Sequence, residues 1–470
     1  MANANFLSTT PGTTAALGGI SSLDSTRRLY NFGDRVASLA PEQTPWFVYL
    51  SKVAKQATDD PTFKFMEQRH QWQRRNFDVA TTVSSGVAAD GTVADFEIDV
   101  DCKYDKYGNA VDTPVAPEFL VVNQMVAIKC QYDSAGDGDN ANDSPIVGHF
   151  RVASIATGTT AVAKPTLKFI SATKASGKEQ VLVDNSKLLL VATECPGEVI
   201  GSAFQEGTSF PKGWADELYA REGHCQIFKT ASPVMSGTAQ ATRYRGVANE
   251  WQRVWKEKLM EHKMDIERGM LFGIGGAQNA DYRTSWGIVP YTERYGKVYN
   301  YSMSGTAPTG HKENYDGLLE IMEDFYAPES GNSGNKLCLA SRSVISYFNK
   351  MASGFVNSTI GAGNQPFTVD VNYKDGKFGH KVAQVDTVFG GFTMVQEPLF
   401  RGPYADMMVL IDMDNVKYRP LVGNGISRDT YIETNVQSPG DDARVDQILT
   451  EAGLQVELPE THAIIKFADN

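Results

Sequence analysis

Residues 247–272, VANEWQRVWKEKLMEHKMDIERGMLF, constrain the fold more than any other stretch. Trp251, Trp255, Leu259, Ile266 and Met270 recur at helical spacing on one stripe, with His262 among them. Five acidic and five basic residues stand among the other positions. Arg253/Glu257 and Lys263/Glu267 stand four apart, where opposite charges pair across one turn. Gly273, Gly275 and Gly276 end the pattern. A helix of this span is ~39 Å long, about twice the usual length. It has no sustained heptad seam, so the pattern predicts a backbone helix lying on a sheet rather than a coiled coil.

The remainder is organised around that helix. The chain has 470 residues, more than the ~250–300 that one hydrophobic core accommodates, so several lobes are expected. In residues 35–56, Pro41 and Pro45 precede Trp46, Phe47, Leu50 and Val53 at helical spacing, which predicts a short helix with an aromatic anchor. A strand is expected over 62–73, with Arg69, Arg74 and Arg75 making the region basic. Residues 79–145 hold 12 acidic and 3 basic residues. Within them, 95–101 alternates strictly and predicts one strand with an acidic face (Asp95, Glu97, Asp99, Asp101) and an apolar face. That acidic face reads either as solvated or as an edge meeting a basic surface on another subunit. Short β runs at 119–122, 125–129, 149–155, 166–170 and 188–192 suggest a small β module over about 115–195. Beyond a linker at 301–311, helices are expected at 316–326 and at 341–350, the latter capped by Ser341. Strands at 337–340, 368–373, 381–388, 392–396 and 407–413 complete an α+β lobe, and a segment over 430–467 ends in an apolar run.

Several chemistries are disfavoured. A net charge of −12 argues against gripping phosphate backbones or docking on an anionic membrane. Five cysteines without short spacings predict reduced thiols. Residues 1–26, rich in Ala, Thr, Ser and Gly, read as a loose terminus or as an arm lying on a neighbour. The first 20 residues lack the pattern of a signal peptide, and no apolar run approaches the ~18 residues of a membrane span. A soluble protein made in the cytoplasm is expected. No phosphate loop, GxSxG elbow or HExxH motif occurs, and the seven histidines are scattered. Residues 137–143, DGDNAND, have the composition of a calcium loop, but Ala141 stands where a ligand should, so a solvated turn is the reading. No catalytic, cofactor or metal residue is nominated.

Four segments in this order resemble the major capsid proteins of tailed bacteriophages, with the Hong Kong 97-type fold. The first is Thr44–Pro45–Trp46 through Leu50–Ser51–Lys52, with Lys55, Asp59, Asp60 and Phe63–Lys64–Phe65. The second is Cys225–Gln226–Ile227–Phe228–Lys229–Thr230 with 234–237, and the third is the long helix ending Asp265–Ile266–Glu267–Arg268–Gly269–Met270. The fourth is 446–454, DQILTEAGL, with His462–Ala463–Ile464–Ile465. The closest likeness is to a branch with a β-rich insertion in its extended loop.

The resemblance implies an α+β chain with an N-terminal arm (1–60) and an extended loop (61–210) carrying an insertion at about 115–195. It further implies a peripheral domain (211–305) with the spine helix, an axial domain (306–420) and a return to the peripheral domain (421–470). It implies a structural subunit, without catalysis or cofactor, that self-assembles into the icosahedral head shell around double-stranded DNA. Partners would be other copies in hexamers and pentamers, a scaffolding protein, a portal and decoration proteins. The setting would be the virion, after synthesis in the bacterial cytoplasm. Trp46, Phe47 and Leu50 would anchor the arm. Arg69, Arg74 and Arg75 would face the acidic residues Asp95, Glu97, Asp99 and Asp101 of an adjacent subunit. The rival readings are another phage or surface-layer subunit, or a carbohydrate-active enzyme using Asp441 and Asp442 or Asp95 and Glu97.

Overall fold

The computed structural model describes residues 44–69, 74–133, 144–174, 177, 179, 181–193, 195–211, 213–215, 217–243, 249–277, 282–301, 315–327, 334–349, 372–375 and 381–467. The chain divides into two compact units. One takes residues up to 61 together with 224–320 and 335–470, and the other takes 62–223 and 321–334.

The 62–223 unit is built on a ten-stranded sheet. Gln124–Asp133, Ser144–Ala156 and Lys164–Lys174 form an antiparallel meander. Gln124–Asp133 buries alternate side chains, and Val126, Ile128, Cys130 and Tyr132 enter the core. Pro196–Ser202 pairs with it and then with Asn76–Val79. A Cβ on Gly197 would come within 2.4 Å of the Phe77 ring, so only glycine lets that ring lie across the strand.

Residues 95–101 are not one strand. Phe96–Glu97 pairs with Lys164–Lys174, whereas Val100–Tyr104 pairs with Asn76–Val79 and Ala110–Val115. The alternation survives as burial, since Ile98 and Val100 are buried while Asp95 and Glu97 are exposed. A period of two tells which side chains go inward, not which strand is the partner. Nor are residues 115–195 set apart, because the meander shares its sheet with the strands at 76–79, 83–86, 96–97 and 100–104. The expected strand at 119–122 is a turn. Gln124 Nε2 donates to Phe119 O (3.0 Å) and Gln124 Oε1 accepts from Val121 N (2.8 Å), so one side chain replaces the ladder.

The other unit contains two larger sheets. In the first, Gln447–Val456 lies between Gln226–Ala231 and Val416–Pro420, and also pairs with Tyr431–Glu433. The second has seven strands in the order Lys297–Tyr301, Ala463–Phe467, Met407–Ile411, Asn335–Ala340, Gly391–Gln396, Lys381–Asp386, Asn372–Asp375. Met407–Ile411 is buried at all five positions, as its unbroken apolar sequence requires. Residues 421–470 therefore serve both sheets, through Gln447–Val456 in one and Ala463–Phe467 in the other. Residues 342–349 are helical, and Ser341 Oγ accepts from Val344 N at 3.4 Å as the cap. Of the strand expected at 368–373, the part before 372 lies outside the described residues.

The long helix spans Glu250–Phe272, and Asn249 caps it by accepting from Gln252 N at 3.2 Å. At its other end a Cβ on Gly273 would meet Gly269 O at 2.5 Å and Ser285 O at 2.6 Å. The helix lies on Gln226–Ala231 and Gln447–Val456. His262, Ile266, Glu267, Met270 and Leu271 are buried. The expected stripe is corrected in its first half, where Trp251, Trp255 and Leu259 are only half-buried and outside the core cluster. The two tryptophans stack on each other (6.4 Å, 11°), and the Arg444 guanidinium lies 4.8 Å from the Trp251 ring centre. Periodicity marks a face but not how far the sheet beneath it extends.

Candidate functional site

The helix Pro45–Val53 docks on the long helix. Pro45 occupies its first turn, where the missing N–H costs nothing. Trp46 and Leu50 are fully buried in one cluster with Ile266, Met270 and Leu271. Phe47 is half-buried, edge-on to Tyr418 at 6.0 Å. Thr44 makes no side-chain cap. Glu267 supplies the acceptor instead, its Oε1 taking Trp46 N at 2.9 Å, and Trp46 Nε1 donates to Met270 O at 3.4 Å. The chain then runs beside Val416–Pro420, with Tyr418 N donating to Ala54 O (2.7 Å) and Thr58 N to Pro420 O (2.9 Å). The described part of the expected arm, from residue 44, is thus built into the core of this unit.

The Lys263/Glu267 pair is therefore corrected: Lys263 is exposed, while Glu267 is buried beneath Trp46. Burial holds the carboxyls of Glu267 and Glu397 above the usual carboxylate range, and the proximity of Glu397 raises Glu267 further. Arg253 does pair with Glu257, at 2.6 Å. His262 is fully buried, its Nδ1 2.9 Å from Thr230 Oγ1 and its Nε2 2.8 Å from Thr450 Oγ1. Burial lowers its pKa, so it ties helix to sheet as a neutral ring.

The basic cluster is spoken for within its own unit. Arg69 is buried and its Nη2 donates to Glu67 Oε2 at 3.0 Å, and Arg221 Nε reaches the same oxygen at 2.9 Å. Arg74 lies over the Tyr104 ring (4.7 Å) and donates to Gly108 O (3.3 Å), while Arg75 lies over Trp214 (5.4 Å). Arg69 is therefore closed to a neighbour, whereas Arg74 and Arg75 are half-buried. Among the acidic residues, Asp99 pairs with Lys164 at 3.2 Å. Asp101 is half-buried, and burial and then Asp78 raise its pKa. Asp95 and Glu97 stay exposed.

A family model described as the SU10 major capsid protein matches residues 8–469. The chain belongs to the SU10 major capsid protein family. It is a structural protein of the phage head shell. A search of curated proteins finds no match. Among solved structures, one from Mycobacterium phage Bobi is 7% identical with a TM-score of 0.41, covering 95% of this chain and 97% of that one. One from Mycobacterium phage Patience is 14% identical with a TM-score of 0.37, covering 57% and 78%. The holo-SrpI encapsulin complex of Synechococcus elongatus PCC 7942 is 12% identical with a TM-score of 0.34, covering 53% and 75%.

In this SU10-family capsid chain the acid pairs weighed for catalysis form no cleft. Asp441 and Asp442 are both exposed beside a turn, and Asp95 and Glu97 are exposed on the edge of the sheet. Among the described residues no cluster of three or more His, Cys, Asp or Glu is arranged to hold a metal. Residues 137–143 lie outside the described residues, between two paired strands of the meander. None of the five cysteines is in a disulfide and all are buried, with the Cys130 and Cys225 thiols pushed up to about 12 by burial. No helix among the described residues is long and apolar enough to cross a membrane. Sequence reasoning missed Glu67, Glu397, Thr230 and Thr450. Glu267 gave a signal, since a carboxylate beside Ile266 and three before Met270 falls on the apolar face.

Proposed function

We propose that copies of this chain assemble, as hexamers and pentamers, into an icosahedral head shell of a tailed phage around double-stranded DNA. Assembly takes place in the host bacterial cytoplasm, with a scaffolding protein, a portal and decoration proteins as partners, and DNA is enclosed without sequence-specific contacts. The observation that carries this reading is the family match over nearly the whole chain. The parts take the roles of arm (1–60), extended loop (61–210), peripheral domain (211–305), axial domain (306–420) and return (421–470). Many weak contacts, repeated by symmetry, then close a shell that no single interface holds.

The test is sedimentation of the purified chain with its scaffolding protein, followed by electron microscopy of the fast fraction. Closed particles of many megadaltons are expected, whereas tubes or flat lattices overturn the icosahedral reading.

Asp95 and Glu97 are left as the acidic candidates for a neighbour, with the half-buried Arg74 and Arg75 as candidates for the counter-charge. Each exposed pair is worth about 0–1 kcal/mol and is screened by salt. Assembly of the wild type therefore weakens as salt rises. The double variant Asp95→Asn/Glu97→Gln assembles with a shallower salt dependence, measured by light scattering. An unchanged slope removes these two residues from the interface.

A further inference from the structure

Glu267 and Glu397 are 0% and 1% exposed. Each is satisfied on one oxygen only. Glu267 Oε1 accepts from Trp46 N at 2.9 Å, and Glu397 Oε1 accepts from Leu399 N at 3.1 Å. The Oε2 atoms of both are buried, with no protein N–H or hydroxyl donor. The two carboxyl groups act on each other, and the nearby Glu397 raises Glu267 beyond what burial does. Two buried carboxylates this near each other cannot both stay ionised, so the pair holds a proton.

Among the described residues, no cation acts on the pair. The groups that act on the pair are each other and the amides of Trp46, Phe47 and Leu399. On the Pro45–Val53 helix, Lys52 is exposed and Tyr49 is half-buried. On the long helix, Lys263 and Arg268 are exposed, Asp265 is half-buried, and His262 is held between two threonines. Beyond Leu399, Arg401 is exposed. On Val416–Pro420, Lys417 pairs with Glu457, and Arg419 is half-buried. On Asn335–Ala340, Lys336 pairs with Asp412.

We infer that the Glu267–Glu397 carboxyl pair is a proton-dependent latch that fastens the Pro45–Val53 helix to the long helix. With one proton shared, the pair binds the amide end of the helix and leaves no buried charge in excess of one. When that proton leaves, two anions face each other in a dry site, and the helix and the segment 397–399 must part to admit water. The direction is fixed by linkage. Both groups are held above their unfolded values, so the stability they contribute is complete in acid and is lost as pH rises through the folded range. The latch is closed at and below neutrality and opens in alkali. Its mobile element is the point from which residues 1–43 leave the described structure.

The test is tryptic cleavage of the full-length chain, followed by mass spectrometry. Lys52, exposed in the last turn of the docked helix, and Lys55, just after it, report opening. Lys103, in the other unit and 71% exposed, serves as the reference that cancels the protease's own pH dependence. Between about pH 6.5 and about pH 9.5 the Lys52-plus-Lys55 to Lys103 cleavage ratio rises at least ~tenfold in the wild type. Glu397→Gln removes the second charge and makes the rise smaller, and the double variant Glu267→Gln/Glu397→Gln abolishes it. A flat wild-type ratio overturns the latch, and so does a Glu397→Gln protein with the wild-type profile. Should Glu397→Gln fold poorly, Glu267→Gln repeats the comparison, and the wild-type titration decides alone.

Discussion

Ile266→Asp prevents the chain from folding and from forming particles. Ile266 is 1% exposed and sits where the long helix meets Trp46, Leu50 and Phe228 in one cluster. An unpaired carboxylate there costs several kcal/mol, a large part of the ~5–15 kcal/mol that holds a domain together. Trp255→Asp is the paired control. Trp255 lies on the same helix but is half-buried outside the cluster, so its new carboxylate keeps access to water and the variant loses about 1 kcal/mol. Soluble yield and urea unfolding separate the two. Equal effects would mean that the core extends under the whole helix, contrary to the geometry described.

Glu67→Ala has the second large effect, and it falls on the other unit. Glu67 receives both Arg69 and Arg221 with side-chain exposures of 1%, 6% and 12%. Removing the carboxylate strips two buried guanidinium groups of their shared counter-charge, a loss of ~3–5 kcal/mol. The triple variant Glu67→Met/Arg69→Leu/Arg221→Met recovers most of that loss, because burying no charge avoids the desolvation that a broken pair retains. Thermal unfolding of the three proteins measures both steps. A triple variant no better than Glu67→Ala would show that the ion pair itself, rather than the stranded arginines, sets the stability.

Local chemistry explains which features were readable from sequence. The long helix and its stop at Gly273 were legible, because periodicity and a glycine signal act within a turn or two. The inward positions Ile98 and Val100 were legible for the same reason. What was not legible needed a partner far away in the chain. The charge of Arg69 reads as a basic surface until Arg221, separated by 154 residues from Glu67, closes the ion pair with it. Trp251 and Trp255 look like core anchors until the sheet beneath them proves too short. Glu397 follows an apolar strand and precedes a proline, a context that gives no hint of Glu267 opposite. The capsid family was legible because four weak segments keep their order around one helix, and order does not depend on knowing any contact.

The placement of Gln447–Val456 and Ala463–Phe467 has a consequence for the ribosome. Both are interior strands, each flanked on two sides, one in the four-stranded sheet and the other in the seven-stranded sheet. The ten-stranded sheet, by contrast, draws on residues 76–202, one continuous stretch that emerges long before them. During translation, the ten-stranded sheet can form while the other unit still lacks two interior strands. The nascent chain therefore exposes the strand edges that these two segments later cover until residues 447–467 have emerged.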